Sequence, residues 1–245
     1  MTALVTGAAR GIGLATARKL IEAGHEVIIG DVNGDAAAEA AAQLGAKAVT
    51  LDVTDPDSVA ACAAGLTTLD VLVNNAGILR GGTLAEMSIE DYRLVMDVNV
   101  LGPVLMTRAC TEALAAARGA VVNLASMSAL MPVPGTGVYS MSKAAVLSYT
   151  QVAALELAPR GIRVNAVAPG RISTEMTASR QTDPAKEART NALIPLGRSG
   201  QADDVAAVIC WLASPAAAYV TGQVIPVDGG LTIATVPFFQ AAQSR

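Results

Sequence analysis

Short runs of Val, Ile, Leu and Ala alternate along the chain with longer, Ala-rich stretches of helical period. The runs fall at residues 3–5, 26–29, 48–51, 71–73, 120–124, 163–167 and 223–227. Runs this short and continuously apolar suit strands covered on both faces, not strands with one wet face. Strand then helix, repeated, predicts parallel order with right-handed crossovers. The expected fold class is α/β, with a doubly wound parallel sheet of seven strands and helices on both faces. No internal repeat and no Pro-, Gly- or Ser-rich linker divides the chain, so residues 1–245 read as one domain. The polar stretch 177–191 interrupts two apolar elements and reads as a surface lid over a substrate. An exposed amphipathic helix without a role is the alternative.

The first run leads into Thr6-Gly7-Ala8-Ala9-Arg10-Gly11-Ile12-Gly13, and then into the helical pattern 14–23, which Gly24 can end. Glycines between a first strand and a first helix allow a tight turn, close approach of backbone to a phosphate, and close helix–strand packing. The helix N-terminus offers free N–H groups to an anion. The spacing is G-x-x-x-G-x-G, not the more familiar G-x-G-x-x-G, but its place marks a dinucleotide site in a single-domain Rossmann fold. Asp31 closes the second run, where an acid can hydrogen-bond the ribose 2′-hydroxyl and repel a 2′-phosphate. NAD is therefore expected over NADP. Arg10 argues the other way, since a guanidinium in the glycine loop can reach a 2′-phosphate, and Asp31 can also be read as a strand-end turn residue.

Composition narrows the class. The 245 residues are 52% hydrophobic and 16% charged, with 17 basic against 21 acidic side chains and a net charge of −4. A mildly acidic chain lacks the cationic surface that nucleic acid requires, so no nucleic-acid partner is expected. A mean hydropathy of +0.46 raises the question of a membrane. The apolar stretches, however, are short and broken by Gly, Asp, Asn or Arg, far from the roughly 20 residues of a spanning helix. With no basic region at the N-terminus, a cytoplasmic protein without a membrane partner is expected. Cys62, Cys110 and Cys210 stand far apart in apolar surroundings and read as buried spectators. The single histidine, His25, offers no zinc cluster and no ordinary Ser-His-Asp triad, so no metal site is expected.

The sharpest motif is Tyr139-Ser140-Met141-Ser142-Lys143, followed by the apolar helical pattern 144–157. At i and i+4 on one helix, the phenol and the ammonium share a face. An ammonium, joined by the positive nicotinamide of an oxidised cofactor, stabilises a phenolate and makes a base usable near neutral pH. Ser126 lies thirteen residues upstream, Asn99 forty residues upstream, and Asn74-Asn75-Ala76-Gly77 follows the fourth run. Together these residues resemble the classical short-chain dehydrogenase/reductase family, over nearly the whole chain from Ala3 to about Leu231.

The resemblance implies roles. Tyr139 becomes the general acid/base and also borders the cofactor, and Lys143 both modulates it and binds the nicotinamide ribose. Ser126 hydrogen-bonds the reacting oxygen, with Ser128 as a rival that the spacing disfavours. Asn99 holds a water that joins Lys143 to a proton relay. Gly7, Arg10, Gly11, Ile12, Gly13 and Asp31 bind cofactor, and Asp52 with the Val53 amide holds the adenine. Asn75, Ala76 and Gly77 line the adenine ribose, while Pro169, Gly170, Ile172 and Thr174 meet the nicotinamide and phosphates. Asn74 is expected to tie strands together. The segments 195–198 and 227–230 resemble the family's C-terminal part, and the usual assembly is a homotetramer of D2 symmetry.

Two stretches depart from the family pattern. Residues 57–70 are about one turn shorter than usual, and the tail 232–245 is longer and carries the only two phenylalanines, Phe238 and Phe239. That tail is expected to pack on its own or a neighbouring subunit near the substrate pocket, or else in a surface groove. The loop Met127-Ser128-Ala129-Leu130-Met131-Pro132-Val133-Pro134 is mostly apolar and fits a secondary alcohol or ketone with a hydrophobic substituent better than a polyol. The expected activity is an NAD-dependent alcohol dehydrogenase or ketone reductase. An NADPH-dependent 3-oxoacyl-[acyl-carrier-protein] reductase, with Arg118 and Arg160 meeting an acidic carrier, is the alternative. A catalytically silent dinucleotide sensor is the alternative of another class.

Overall fold

A computed structural model describes residues 1–83, 85–174 and 184–234. Seven strands form one parallel sheet: β1 (Thr2–Thr6), β2 (Glu26–Asp31), β3 (Lys47–Thr50), β4 (Val71–Asn74), β5 (Ala120–Leu124), β6 (Arg163–Pro169) and, last in the chain, β9 (Val224–Val227). Their spatial order is β3-β2-β1-β4-β5-β6-β9, so the chain reverses direction across the sheet between β1 and β4. A crevice opens at the carboxyl ends of the strands at such a switch point.

All seven apolar runs become these strands, no end moving by more than two residues and 120–124 not at all. Successive side chains on β1 serve opposite faces: Ala3 and Val5 enter one core cluster and Leu4 the other. The first face is covered by α1 (Gly11–Glu22), α2 (Gly34–Leu44) and α8 (Ala202–Ala213), through Leu20, Ala41, Ile209 and Leu212. The second is covered by α3 (Pro56–Ala63), α5 (Gly102–Ala117) and α6 (Gly137–Leu157), through Val59, Met106, Leu114 and Ala153. Double coverage explains why the strand runs are continuously apolar.

Local chemistry sets the helix ends. Asn33 caps α2 by accepting from the Ala36 amide at 3.0 Å, and Gly45, with φ 69°, closes it in the left-handed region. Asp55 caps α3 ahead of Pro56, and Ser88 caps α4 (Ile89–Met96). Helix α1 begins at Gly11, three residues before the pattern 14–23 places it, because glycines carry no apolar side chain to signal the first turn.

Helix α4 runs through a π-helical turn, Asp97–Leu101, into α5. The continuous stretch Ile89–Ala117 is long and apolar enough to cross a membrane by length and mean hydropathy alone, although Arg93, Asp97, Arg108 and Glu112 interrupt it. Met106, Cys110 and Leu114 of this stretch pack into the second core cluster. A second sheet, also not anticipated, pairs β7 (Ile172–Ser173) with β8 (Gly200–Gln201). Two-residue strands are too short for any periodicity to reveal.

Of the expected lid, residues 184–191 form the helix α7 (Pro184–Asn191), and 177–183 lie outside the described residues. Phe238 and Phe239 lie outside them too. Thr232, at the head of the tail, bonds Asp228 through its amide at 2.8 Å and its hydroxyl at 2.6 Å.

Candidate active site

The first strand delivers the chain to a tight turn at Gly7, whose φ is 61°. The Asn75 side chain donates to the carbonyl oxygens of Thr6 at 2.9 Å and Gly7 at 2.8 Å, while the Thr6 hydroxyl accepts the Asn75 and Ala76 amides. A Cβ on Gly13 would lie 2.5 Å from both Asn75 Nδ2 and Gly7 O. Gly13 is therefore required by packing, with helix, turn and β4 drawn into one knot. Asn75, expected to line the adenine ribose, spends its amide on this knot although it still borders the cleft.

Helix α1 has no side-chain cap and no acidic residue in its first turn. Its N–H groups at Gly11 and Ile12 thus open onto the cleft without a built-in anion, a cradle suited to a pyrophosphate. Asp31, at the end of β2, accepts the Ala9 amide through Oδ2 and the Asn33 amide through Oδ1, both at 3.1 Å. These bonds hold its carboxylate at the cleft wall, with the exposed Arg10 on the same wall. Asp52 Oδ1 is engaged by the Thr54 amide and hydroxyl, and Val53 is packed in the core.

At the other end of the cleft α6 presents Tyr139 and Lys143 one turn apart. Lys143 is 4% exposed, and its Nζ donates to Leu124 O at 2.7 Å. Burial pushes this ammonium down to about 8, because charge is costly away from water. Ser126 follows β5 and lines the cleft. Its Oγ accepts the Ser128 amide at 3.1 Å, so its own proton is left to donate. Ser128 is buried and does not border the cleft.

Asn99 sits in the π-helical turn, as such turns often do at functional sites. Its Oδ1 accepts the Ile78 amide at 2.8 Å, and its Nδ2 donates to Ile78 O at 2.9 Å and Ser142 Oγ at 3.0 Å. A Cβ on Gly77 would come within 3.2 Å of Asn99 Oδ1 and 3.4 Å of Lys143 Nζ, so glycine keeps that junction open. Pro169, Gly170, Ile172 and Thr174 complete a cleft of about 540 Å³. The Ile172 side chain is buried in the first core cluster, so what it offers a ligand is backbone.

Sequence reasoning missed several participants. Thr6 and Ser142 were inside quoted motifs without a role, and the backbone carbonyls of Leu124 and Ile78 carry no side-chain signal. Arg80, Leu94 and Val98 border the cleft from beyond any motif. Asn74 does tie strands: its Nδ2 donates to Asn123 Oδ1 at 2.8 Å and Thr107 Oγ1 at 3.2 Å. Cys110 is buried as expected, whereas Cys62 and Cys210 are only half-buried; burial still pushes the Cys110 thiol up to about 12, Cys210 up to about 11, and Cys62 upward.

A family model described as enoyl-(acyl carrier protein) reductase matches residues 7–232. The chain belongs to the classical short-chain dehydrogenase/reductase family. As a member, it is an oxidoreductase of the kind that uses a nicotinamide dinucleotide. The family's span takes in the glycine turn, Asp31 and the Tyr139–Lys143 turn alike. The chain is 41% identical over 243 residues to a 3-oxoacyl-[acyl-carrier-protein] reductase of Synechocystis, covering 94% of this chain and 96% of that one. It is 39% identical to a sorbitol dehydrogenase of Cereibacter sphaeroides, covering 94% and 96%. A solved 3-ketoacyl-(acyl-carrier-protein) reductase of Brucella melitensis, complexed with NADH, superposes with a TM-score of 0.87 at 33% identity, covering 94% of this chain and 98% of that one. Among short-chain dehydrogenases of this kind, then, both acyl-carrier and polyol substrates occur.

Proposed function

We propose that the protein is an NAD(H)-dependent alcohol dehydrogenase or ketone reductase acting on a secondary alcohol or ketone with a hydrophobic substituent. The observation that carries this reading is that Ser126, Tyr139 and Lys143 share one cleft with the glycine turn and Asp31. The uncapped α1 N-terminus and the glycine knot fit a dinucleotide, which supplies the hydride acceptor or donor when bound. Tyr139 takes the hydroxyl proton in oxidation and returns one in reduction. Ser126 donates to the reacting oxygen as charge develops there. Lys143, anchored on Leu124 O, stabilises the phenolate and reaches the nicotinamide ribose. Asn99 orders the water that links Lys143 to solvent.

Asp31 supports NAD over NADP, since its fixed carboxylate would repel a 2′-phosphate. The apolar stretch 127–134, which follows the cleft residue Ser126 and exposes Leu130, Met131 and Val133 without itself lining the cleft, is what supports a hydrophobic substituent. Met141, Val152 and Leu155 are exposed on α6, and covering them in a homotetramer would bury apolar surface. The packing of Met106, Cys110 and Leu114 of the stretch Ile89–Ala117 into the second core cluster supports a core helix and a cytoplasmic protein.

A second reading, reduction of a 3-oxoacyl thioester, is favoured by the similarity to the Synechocystis reductase. Of the two arginines expected to meet a carrier protein, Arg160 is engaged by Glu112 in two exposed bonds of 2.7 and 3.0 Å. A fluorescence titration with NADH and with NADPH, followed by turnover on alkyl ketones, polyols and 3-oxoacyl thioesters, tests the proposal. Tight NADH binding with turnover of alkyl ketones is expected. Preference for NADPH and thioesters would replace the first reading by the second, and binding without any turnover would leave a dinucleotide sensor.

A further inference from the structure

Ser142 is fully buried and lies between the two members of the Tyr139–Lys143 pair that give the helix its chemistry. A serine inside a helix commonly returns its proton to a carbonyl one turn back, and Ser142 does so, donating to Tyr139 O at 2.8 Å. Its hydroxyl oxygen also accepts Asn99 Nδ2 at 3.0 Å, a bond that crosses from α6 to the π-helical turn. With its only proton spent on Tyr139 O, Ser142 can meet Asn99 only as an acceptor.

That constraint and the Ile78 backbone demand the same orientation of the Asn99 amide. Its NH₂ must face Ser142 and Ile78 O, and its Oδ1 must face the Ile78 amide and the opening at Gly77. Lys143 Nζ reaches the same opening, so the carbonyl end of the amide dipole, not its NH₂ end, is turned toward the ammonium. A chain with alanine at 142 keeps Asn99 on Ile78 but loses the bond that registers it against the catalytic turn.

We infer that Ser142 is a positioning residue that locks Asn99 to the Tyr139–Lys143 turn and thereby aligns the proton-handling groups. The inference rests on the reading of Tyr139 as acid/base, but the link itself can be measured without turnover.

The test compares wild type, Ser142→Ala, Asn99→Ala and the double variant as full-length proteins. Loss of one buried hydrogen bond in the chain should lower kcat about three- to tenfold. KM and NADH affinity should stay within about twofold, the pattern of a group that matters at the chemical step. The basic limb of the kcat–pH profile should move. In the Asn99→Ala background, Ser142→Ala should have no further effect, since its partner is gone. Without cofactor, Ser142→Ala should speed amide hydrogen exchange in residues 97–101 and 139–143 together. An unchanged kcat with unchanged exchange, or an equal fold-loss in the Asn99→Ala background, would overturn the inference. If the wild type turns over no carbonyl, the dehydrogenase reading fails, while the exchange comparison still supports or overturns the link.

Discussion

The Nζ of Lys143 lies 5.7 Å from the centre of the Tyr139 ring and is tethered there by the carbonyl of Leu124, nineteen residues earlier in the chain. A motif spacing of four puts the two side chains on one face, and the Lys143 ammonium is held there because β5 ends beside the first turns of α6. The ammonium is near enough to favour a phenolate and too buried to be neutralised by solvent ions.

Removing the phenol separates binding from chemistry. Tyr139→Phe should bind NADH as the wild type does and lose about 10²–10⁴ in kcat, the usual range for a general acid/base. Ser126→Ala should lose about 10²–10³ in kcat as an oxyanion donor. Stopped-flow single turnovers with titrated NADH check both, and a parallel loss of NADH affinity would refute the assignment.

Lys143 makes the stability of the cofactor-free protein depend on pH in a specific direction. Burial lowers its folded value to about 8 from 10.5, so between those values the unfolded chain binds more protons than the native one. The penalty is full below about pH 8 and relaxes as pH rises toward about 10.5, by about 3 kcal/mol in all. Urea unfolding of wild type against Lys143→Met, followed across that window, should show the wild type gaining relative to the variant. A flat difference would contradict it.

Asp31 is held by two amides, so its replacement has two consequences. Asp31→Ser should weaken NADH binding about tenfold and raise NADPH affinity relative to NADH, as the repulsive charge is lost. Because a serine spans the two amides less well, the cofactor-free protein should also lose about 1–2 kcal/mol. Paired fluorescence titrations and a denaturation curve measure the two effects.

Gly13→Ala places a methyl where Asn75 and Gly7 already stand, 2.5 Å from each. Overpacking of that kind costs about 1–3 kcal/mol, and here it pushes the turn off the first helix. A lowered unfolding midpoint together with reduced NADH affinity is expected from Gly13→Ala. Gly24→Ala, by contrast, should cost stability through its positive φ of 88° alone and leave NADH binding intact.

Much of this protein was legible before any coordinates. Continuous apolar runs report burial on both faces, so seven of the nine strands among the described residues could be read from them. The glycine turn, Asp31 and the i, i+4 spacing of Tyr139 and Lys143 are local, and local geometry follows from φ/ψ limits and helical period. The choice of Ser126 over Ser128 rested on spacing alone, and of the two only Ser126 lines the cleft.

What only the tertiary structure decided are the contacts between segments far apart in the chain. Lys143 depends on the carbonyl of Leu124, Asn99 on the backbone of Ile78, and Asn75 on the carbonyls of Thr6 and Gly7. Every residue carries such backbone groups, so nothing in a side-chain pattern marks which of them a buried polar group will find. Strand order decides it by bringing β1, β4 and β5 side by side. The sequence by itself determined which elements form and which chemistry they carry, while the packing of those elements determined which groups hold that chemistry in place.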